Sequence, residues 1–293
     1  MNRITILFLS GFFLAGCSGE KSTDAYGHFE AIETIISSEA TGKLIYVDLA
    51  QGQSIRKDQH VATVDSTQPA LQKQELLARR LSVQSRIASA DAQISVVQQQ
   101  LDNLALDLRR MQNMFEENAA TQKQIDDLTG AEKILQKQLN AARAQRSAVL
   151  AERQALDANL ALLNEQLRRC RIVNPIDGMV LEKYVEAYEM TTVGRPLYKI
   201  ANLSELILRV YISGAQLSAL KIGEKCTVRI DDDKKDKSYP GTITWISDTA
   251  EFTPKIIQTK EERINLVYAV KVRVKNDGAI KIGMPGEVTF NSI

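Results

Sequence analysis

Three cysteines and two histidines are the side chains of this sequence best suited to nucleophilic, metal-binding or near-neutral proton chemistry. Cys17 carries the strongest local signal. Asn2 and Arg3 precede an apolar run from Ile4 to Leu14, and the run closes as Leu14-Ala15-Gly16-Cys17. An apolar segment this short, ending in small residues, reads as a signal peptide and not as a permanent membrane span. With Cys at the cleavage position it resembles a bacterial lipobox. Cleavage before Cys17 frees an amine, and lipid joins both that amine and the thiol. An ordinary secretory signal with an incidental cysteine is the alternative. Each buried methylene contributes about 0.8 kcal/mol, so several acyl chains form a stable anchor.

The other chemistry-bearing residues are scattered. Cys170 ends a helical heptad and Cys226 lies in a strand-like run, which suits buried small hydrophobes, with a disulfide as the alternative. His28 and His60 have no Cys or carboxylate cluster at ligand or base spacing, so neither a metal site nor a catalytic base is indicated. The acidic run from Asp231 to Asp236 lacks the spacing and closing Glu of a calcium loop and reads as a solvated hairpin tip. No Gly-x-x-x-x-Gly-Lys phosphate loop is present, so the chain does not power any process by nucleotide hydrolysis. A net charge of +1, from 37 basic and 36 acidic residues, argues against nucleic acid as a partner. No cofactor is indicated.

The elements that would position these residues follow from two periodicities. Gly42, Leu44, Leu49, Gly52, Ile55, Asp58, Val61 and Val64 recur as Gly178, Val180, Val185, Tyr188, Thr191, Gly194, Leu197 and Ile200, each pair 136 positions apart. Each copy resembles half of a lipoyl domain. Neither half can bury its apolar face alone, so the two must close into one small β-sandwich.

Between the copies the period becomes seven. Ile87, Ile94, Leu101, Leu108 and Phe115 form one set, interleaved with Leu76, Val83, Ala90, Val97, Leu104 and Met111. A second arm carries Leu128, Leu135, Ala142, Val149, Leu156, Leu163 and Cys170, and a less regular set containing Glu132, Arg146 and Arg153. Those three charged residues pair across the arms, extend along them to solvent, or face another copy; the pattern leaves all three open. Asn118 suits a helix end, and Thr121 with Gln124 makes a capping box for the next helix. The arms therefore form an antiparallel coiled-coil hairpin, each about 75 Å long at 1.5 Å per residue.

After Ile200 alternating strands (Leu206–Ile212, Cys226–Ile230, Gly241–Ile246, Leu266–Val274, Glu287–Ile293) and a short helix over Gln216–Lys221 predict a small antiparallel β-barrel. The fold class is α+β multidomain: a helical hairpin inserted in a split lipoyl-like sandwich, followed by a barrel. The expected divisions are 1–16 signal peptide, 17–28 lipidated leash, 29–65 first lipoyl-like half, 66–171 hairpin, 172–201 second half and 202–293 barrel. A strand over Phe29–Ile36 leads into the first half.

Lipobox, leash, split lipoyl-like domain, hairpin and barrel, in this order, resemble the periplasmic adaptors of the HlyD type, also called membrane fusion proteins. The resemblance covers essentially the whole mature chain. The family's hairpin-tip pattern is Arg, three residues, Leu, six residues, Ser; Arg110, Met114 and Thr121 stand at that spacing here, with Met for Leu and Thr for Ser. The resemblance implies that these three residues dock on a TolC-like outer-membrane duct. The block Glu251-Phe252-Thr253-Pro254-Lys255, with Gln258-Thr259, Glu262-Arg263 and Leu266-Val267-Tyr268-Ala269-Val270, is similar to the YbhG branch, which is associated with ABC-type exporters. The chain stops just after Gly283-Met284-Pro285-Gly286 and a final strand, where adaptors of resistance-nodulation-division pumps continue, which also favours an ABC partner over the RND type. What the resemblance implies is a homo-oligomeric ring, a hexamer in the family, that links an inner-membrane exporter to the duct.

The implied location is the periplasm of a Gram-negative bacterium, lipid-anchored in the inner membrane, although Ser18 after the lipidated Cys is a residue that enteric sorting directs to the outer membrane. Three rival readings fit less of the chain. An enzyme lacks a catalytic cluster. A swinging-arm carrier lacks the Met-Lys-Met or Asp-Lys-Ala tripeptide, and the hairpin occupies the position of its Lys. A coiled-coil structural or chaperone-like lipoprotein leaves the split sandwich and the barrel without a purpose.

Overall fold

A computed structural model describes residues 23–231, 237–252 and 266–292. Cys17, Ser18 and the signal peptide lie outside the described residues, as do most of the acidic run and all of residues 253–263.

Strands β1 (Ala25–Glu30), β2 (Glu33–Ser37), β3 (Gly42–Val47), β4 (Ser54–Ile55) and β5 (His60–Val64) precede helices α1 (Thr67–Glu116) and α2 (Gln122–Cys170). Then come β6 (Arg171–Val173), β7 (Gly178–Lys183), β8 (Met190–Thr191), β9 (Pro196–Ala201), β10 (Glu205–Ser213), the four-residue α3 (Gly214–Leu217), β11 (Lys225–Ile230), β12 (Lys237–Ile246), β13 (Glu251–Phe252), β14 (Leu266–Lys275) and β15 (Pro285–Phe290). Two compact units result. One holds Ile35–Ile176 and Glu182–Lys199; the other holds Asp177–Leu181 and the described residues of Met1–Thr34 and Ile200–Ile293.

The first unit contains the hairpin and a four-stranded sheet in the order β6-β5-β3-β8. Two strands from before the insertion lie at its centre and one from after it is at each edge: β5 pairs β6 through Ala62↔Ile172 and Thr63↔Arg171, and β3 pairs β8 through Gly42↔Thr191. Both ends of the hairpin therefore leave one sheet. A further four-stranded sheet runs β2-β9-β7-β4, here with the two late strands at the centre and an early strand at each edge.

The internal repeat is physical. Leu44 and Val180, Leu49 and Val185, Val61 and Leu197, and Val64 and Ile200 are all buried. The same turn positions also enter the left-handed region in both copies: Gly52 (φ 83°) and Tyr188 (φ 74°), then Asp58 (φ 62°) and Gly194 (φ 86°). Each turn thus has glycine in one copy and a residue with a Cβ in the other, where the left-handed conformation costs about 1–2 kcal/mol.

The two halves are also joined by Asn174, fully buried, which sequence patterns did not single out. Its side chain donates to the Arg56 carbonyl (2.9 Å) and accepts from the Tyr198 hydroxyl (3.0 Å), and its backbone exchanges hydrogen bonds with Asp58 (2.7 Å) and Gln59 (2.9 Å). Burial pushes the Tyr198 phenol above its usual range, so it remains a neutral donor.

In the hairpin, Val83, Ile87 and Val149 form one buried cluster, and Val97, Leu101 and Leu139 another. Each such side chain contributes about 1.5–3 kcal/mol by leaving water. Ion pairs across the arms set the register: Arg80 with Asp157 (3.0 Å), Arg86 with Glu152 (2.7 Å), and Asp91 with Arg146. As residue number rises along α1 the partner's falls along α2, as antiparallel packing requires. Each exposed pair adds only about 0.2–1 kcal/mol, so these pairs specify alignment more than stability. Two of the charged positions left open by the heptads are now placed: Arg146 pairs across the arms, and Arg153 lies 3.9 Å from Asp157 on its own helix. Glu132 is half-buried.

The second unit holds a closed barrel. Its order β10-β1-β15-β11-β12-β14 is completed by β10–β14 pairing, with β13 added to β14. This corrects the expectation of a leash up to residue 28 and of a single strand over Phe29–Ile36. Ala25–Glu30 is a barrel strand, paired with β10 through Phe29↔Leu208 and with β15 through Ala25↔Val288. The physical reason is that Ala25 and Phe29 are buried, filling a core whose other strands lie far along the chain. The short helix also starts earlier than expected, at Gly214, behind a Ser213–Gln216 capping box.

Both Cys170 and Cys226 are buried free thiols, as the apolar reading expected. Burial, with Glu224 adding to it, pushes the Cys226 thiol up to about 12; burial, then Asp65, raises Cys170. A raised thiol favours the neutral form, so the stability tied to Cys226 is intact below the unfolded pKa near 9 and declines between pH 9 and 12. Neither thiol should react with an aromatic disulfide reagent at pH 8 until the chain is unfolded in guanidinium. Stoichiometric labelling of the native protein within minutes would contradict this burial.

Candidate functional site

The distal end of the hairpin is where the sequence-predicted site residues gather. The chain must reverse over Glu117–Thr121, and two local devices make the turn. Asn118 takes φ 62°, which a short polar side chain tolerates. The Ala119 N–H then donates to the Met114 carbonyl (2.8 Å) and the Asn118 N–H to that of Phe115 (3.0 Å), a Schellman ending that satisfies the last carbonyls of α1. Three residues on, Thr121 starts α2: its backbone N–H donates to Gln124 Oε1 (2.8 Å) and its Oγ1 accepts from the Gln124 N–H (3.4 Å). Both the Asn118 stop and the Thr121–Gln124 capping box are as read from sequence.

Arg110 projects one turn before Met114, its side chain 73% exposed and its Nη1 3.1 Å from Asp107 Oδ1. Met114 is 40% exposed. Thr121 is also exposed, but its hydroxyl already donates to Gln124 Oε1 (2.9 Å). The structure therefore brings Arg110, Met114 and Thr121 to one end of the rod. It gives the guanidinium and the thioether free faces, while Thr121 has a structural task as well.

Phe115 corrects the heptad reading. It was expected inside the seam and is instead 39% exposed. The reason is geometric: Phe115 is in the last turn of α1, where only the first residues of α2, from Gln122 onward, are available to cover it. The tip thus presents two exposed apolar side chains, Met114 and Phe115, one helical turn beyond the exposed Arg110. Such a surface suits a groove between helix ends, where Arg donates to backbone carbonyls and apolar side chains fill gaps.

Among the described residues no group of three or more His, Cys, Asp or Glu could hold a metal ion. No described helix is long and apolar enough to cross a membrane. Cys17, the expected lipidation site, lies outside the described residues.

No family model matches the chain. It is 27% identical over 293 aligned residues, 91% of its length, to a UPF0194 membrane protein in the asrC 5′ region of Acidithiobacillus ferridurans, covering 86% of that protein. The UPF0194 membrane protein YbhG of Salmonella arizonae is 32% identical over 126 residues, 43% of this chain; the match spans only 38% of that relative's length. Among solved structures, MacA from Actinobacillus actinomycetemcomitans superposes with a TM-score of 0.57 at 20% identity, over 90% of this chain and 76% of that one. The membrane fusion protein Spr0693 from Streptococcus pneumoniae superposes with a TM-score of 0.52 at 19% identity, over 92% of this chain and 98% of that one.

Proposed function

We propose that this chain, an HlyD-type membrane fusion protein by its fold and by its resemblance to the UPF0194 proteins, is the periplasmic adaptor of a tripartite export system. One observation carries the reading: β5 and β6 pair in a single sheet, so a rod of two helices springs from a compact base. Each helix has about 50 residues, so the rod is about 75 Å long and spans a distance that the compact base cannot. The adaptor is not a catalyst; it holds other components in line.

In this reading lipid on Cys17 ties the N-terminus to the inner membrane, and the base sits on an inner-membrane exporter of the ABC type. Several copies assemble into a ring, a hexamer as in the family, whose hairpin tips meet a TolC-like outer-membrane duct. Arg110 donates to carbonyls at the duct's helical ends, and Met114 fills a groove beside them. Thr121 caps α2 and sets the angle at which the tip arrives.

The test is a photo-cross-linking amino acid at Met114, activated in living cells of the native host. The expected product joins the adaptor to an outer-membrane duct, identified by mass spectrometry. Cross-links confined to the chain itself, or to soluble periplasmic proteins, would favour the structural or chaperone-like lipoprotein instead.

A further inference from the structure

One end of the barrel carries apolar side chains that the core does not use. Strands β1, β11 and β14 begin at this end and β10, β12 and β15 finish there, because neighbours around the barrel all pair antiparallel. Ile222, in the turn before β11, is 66% exposed, and Leu266, the first residue of β14, is 53% exposed. Trp245, next to last in β12, is 39% exposed. Strands β11, β12 and β14 are adjacent, so the three residues lie along one side of the end. Trp245 is the only tryptophan of the chain, and Lys271 Nζ sits 5.1 Å from its ring centroid. Lys221 and Lys225 are exposed on either side of Ile222. Glu224 accepts from the Lys221 backbone N–H (3.3 Å) and Asp248 is exposed, so apolar surface and not net charge distinguishes this rim. A half-exposed indole with an ammonium over its face suits the headgroup layer of a bilayer, apolar on one side and wet on the other.

The chain also enters the barrel at this end. The Asp24 N–H donates to the Val288 carbonyl (3.0 Å), its Oδ2 accepts from the Phe290 N–H (2.7 Å), and its carbonyl accepts from Gln216 Nε2 (3.2 Å). Position 24 is thereby pinned beside the finish of β15. Cys17 precedes Thr23 by six residues, at most about 20 Å of chain. A lipid on Cys17 therefore holds this end, and not the opposite one, close to a bilayer. The opposite end offers a built-in comparison. Lys221-Ile222-Gly223 recurs there as Lys281-Ile282-Gly283, with both glycines left-handed (φ 89° and 79°). Gly223 donates to the Ile243 carbonyl and Gly283 to that of Phe29, both at 2.8 Å. Ile282 is 39% exposed, so an exposed isoleucine belongs to the turn itself. What only the first end has is the tether, with Trp245 and Leu266 beside it.

We propose that Ile222, Trp245 and Leu266 enter the headgroup layer of the membrane that holds the Cys17 lipid. The occupant of the rim is lipid and not protein, because the tether brings this end to lipid whatever else is bound. Three side chains bind a bilayer weakly by themselves; a short tether supplies the effective concentration that populates the contact. Lys221 and Lys225 lay their stems along the apolar rim and reach the phosphates. The contact fixes how the barrel stands on the membrane, which a lipid on a leash alone does not. The inference rests on the proposed lipidation of Cys17 and adds the surface through which the barrel meets the bilayer.

The experiment couples the chain from residue 17 onward, through the Cys17 thiol, to a maleimide lipid in vesicles of phosphatidylethanolamine and phosphatidylglycerol. Cys170 and Cys226 are buried and do not compete for the reagent. Trp245, as the only indole, reports its own depth. Its emission should shift to the blue and be quenched when the acyl chains are brominated, relative to the same vesicles without bromine. Ile222→Glu should remove about half of that quenching or more, since a charge replaces a side chain that gains by leaving water. Ile282→Glu, in the matching turn at the opposite end, should leave it unchanged. Both sites are exposed, so both variants should unfold at the wild-type temperature. An unquenched Trp245 in these protein-free membranes would leave the rim to a protein or to water and overturn the proposal. So would quenching unchanged in Ile222→Glu, an equal loss in Ile282→Glu, or a loss in Ile222→Glu accompanied by a lower unfolding temperature. Intact mass of the chain from its native host reads lipidation separately: a bare Cys17 removes the anchor, whereas an unquenched coupled chain removes only the contact.

Discussion

Arg110→Asp is expected to cut recovery of the outer-membrane duct with the cross-linked adaptor at least tenfold. Whatever resistance or secretion a strain lacking the chain forfeits should be lost with it. Reversing the charge at an exposed tip replaces a donor to carbonyls with a group that repels them, one helical turn before Met114. The fold should hardly notice. Arg110 contacts Asp107 three residues back at 3.1 Å, and removing such an exposed pair and adding a like charge costs only about 0.3–0.5 kcal/mol each. Helical circular dichroism and the oligomer profile should therefore match the wild type. Duct capture at wild-type level would remove Arg110 from the site. Thr121 needs a different design, because Thr121→Ala also loses a helix cap worth about 1 kcal/mol. Thr121→Asn retains capping ability without the hydroxyl. If Thr121→Asn captures the duct as well as wild type, the residue serves the turn and not the duct.

Gly27→Val should have the largest effect on stability. A Cβ at position 27 would lie 1.8 Å from the Arg209 carbonyl oxygen and 2.6 Å from its carbon. Both are backbone atoms, so no rotamer change relieves the overlap. The Gly27↔Val210 pairing must open, and Phe29, fully buried two residues away, loses its seat between β10 and β15. Overpacking plus partial exposure of a core aromatic costs about 3 kcal/mol or more. For a barrel of this size that lowers its unfolding temperature by at least about 12 °C. The hairpin belongs to the other compact unit, so the helical signal should persist through the barrel's transition. Gly130→Ala is the matched control: nothing lies within 4 Å of its Cβ position, and in the interior of α2 alanine should stabilise by up to about 1 kcal/mol. A Gly27→Val protein that unfolds with the wild type would refute the close approach of β1 and β10.

What was legible from residues alone was whatever depends on near neighbours or on strict repetition. The seven-residue period placed Val83, Ile87, Val97 and Leu101 in the seam, and all four are buried. The 136-position offset paired residues that are buried together and turns that share a left-handed backbone. Asn118 and Thr121 marked the turn because a helix stop and a capping box involve residues only a few positions apart. The three tip residues were found by spacing against a family pattern, and they do meet at one end of the rod.

The remainder depended on partners distant in the chain. That Ala25–Glu30 completes the barrel follows from strands about 180 and 260 residues further on, and six residues of alternation do not name their neighbours. Asn174 is polar in sequence and becomes a buried clamp only when Arg56 and Tyr198 close around it. Phe115 fits the heptad yet stays open, since a periodic pattern says which face a residue takes and not whether anything arrives to cover it. Tyr188 looks like an ordinary surface tyrosine until its φ and its repeat counterpart are compared. Periodicity and capping are local physics, carried by a handful of adjacent residues. Strand partnership, burial of a polar group and exposure of an apolar one are set by whichever surfaces the folded chain brings together.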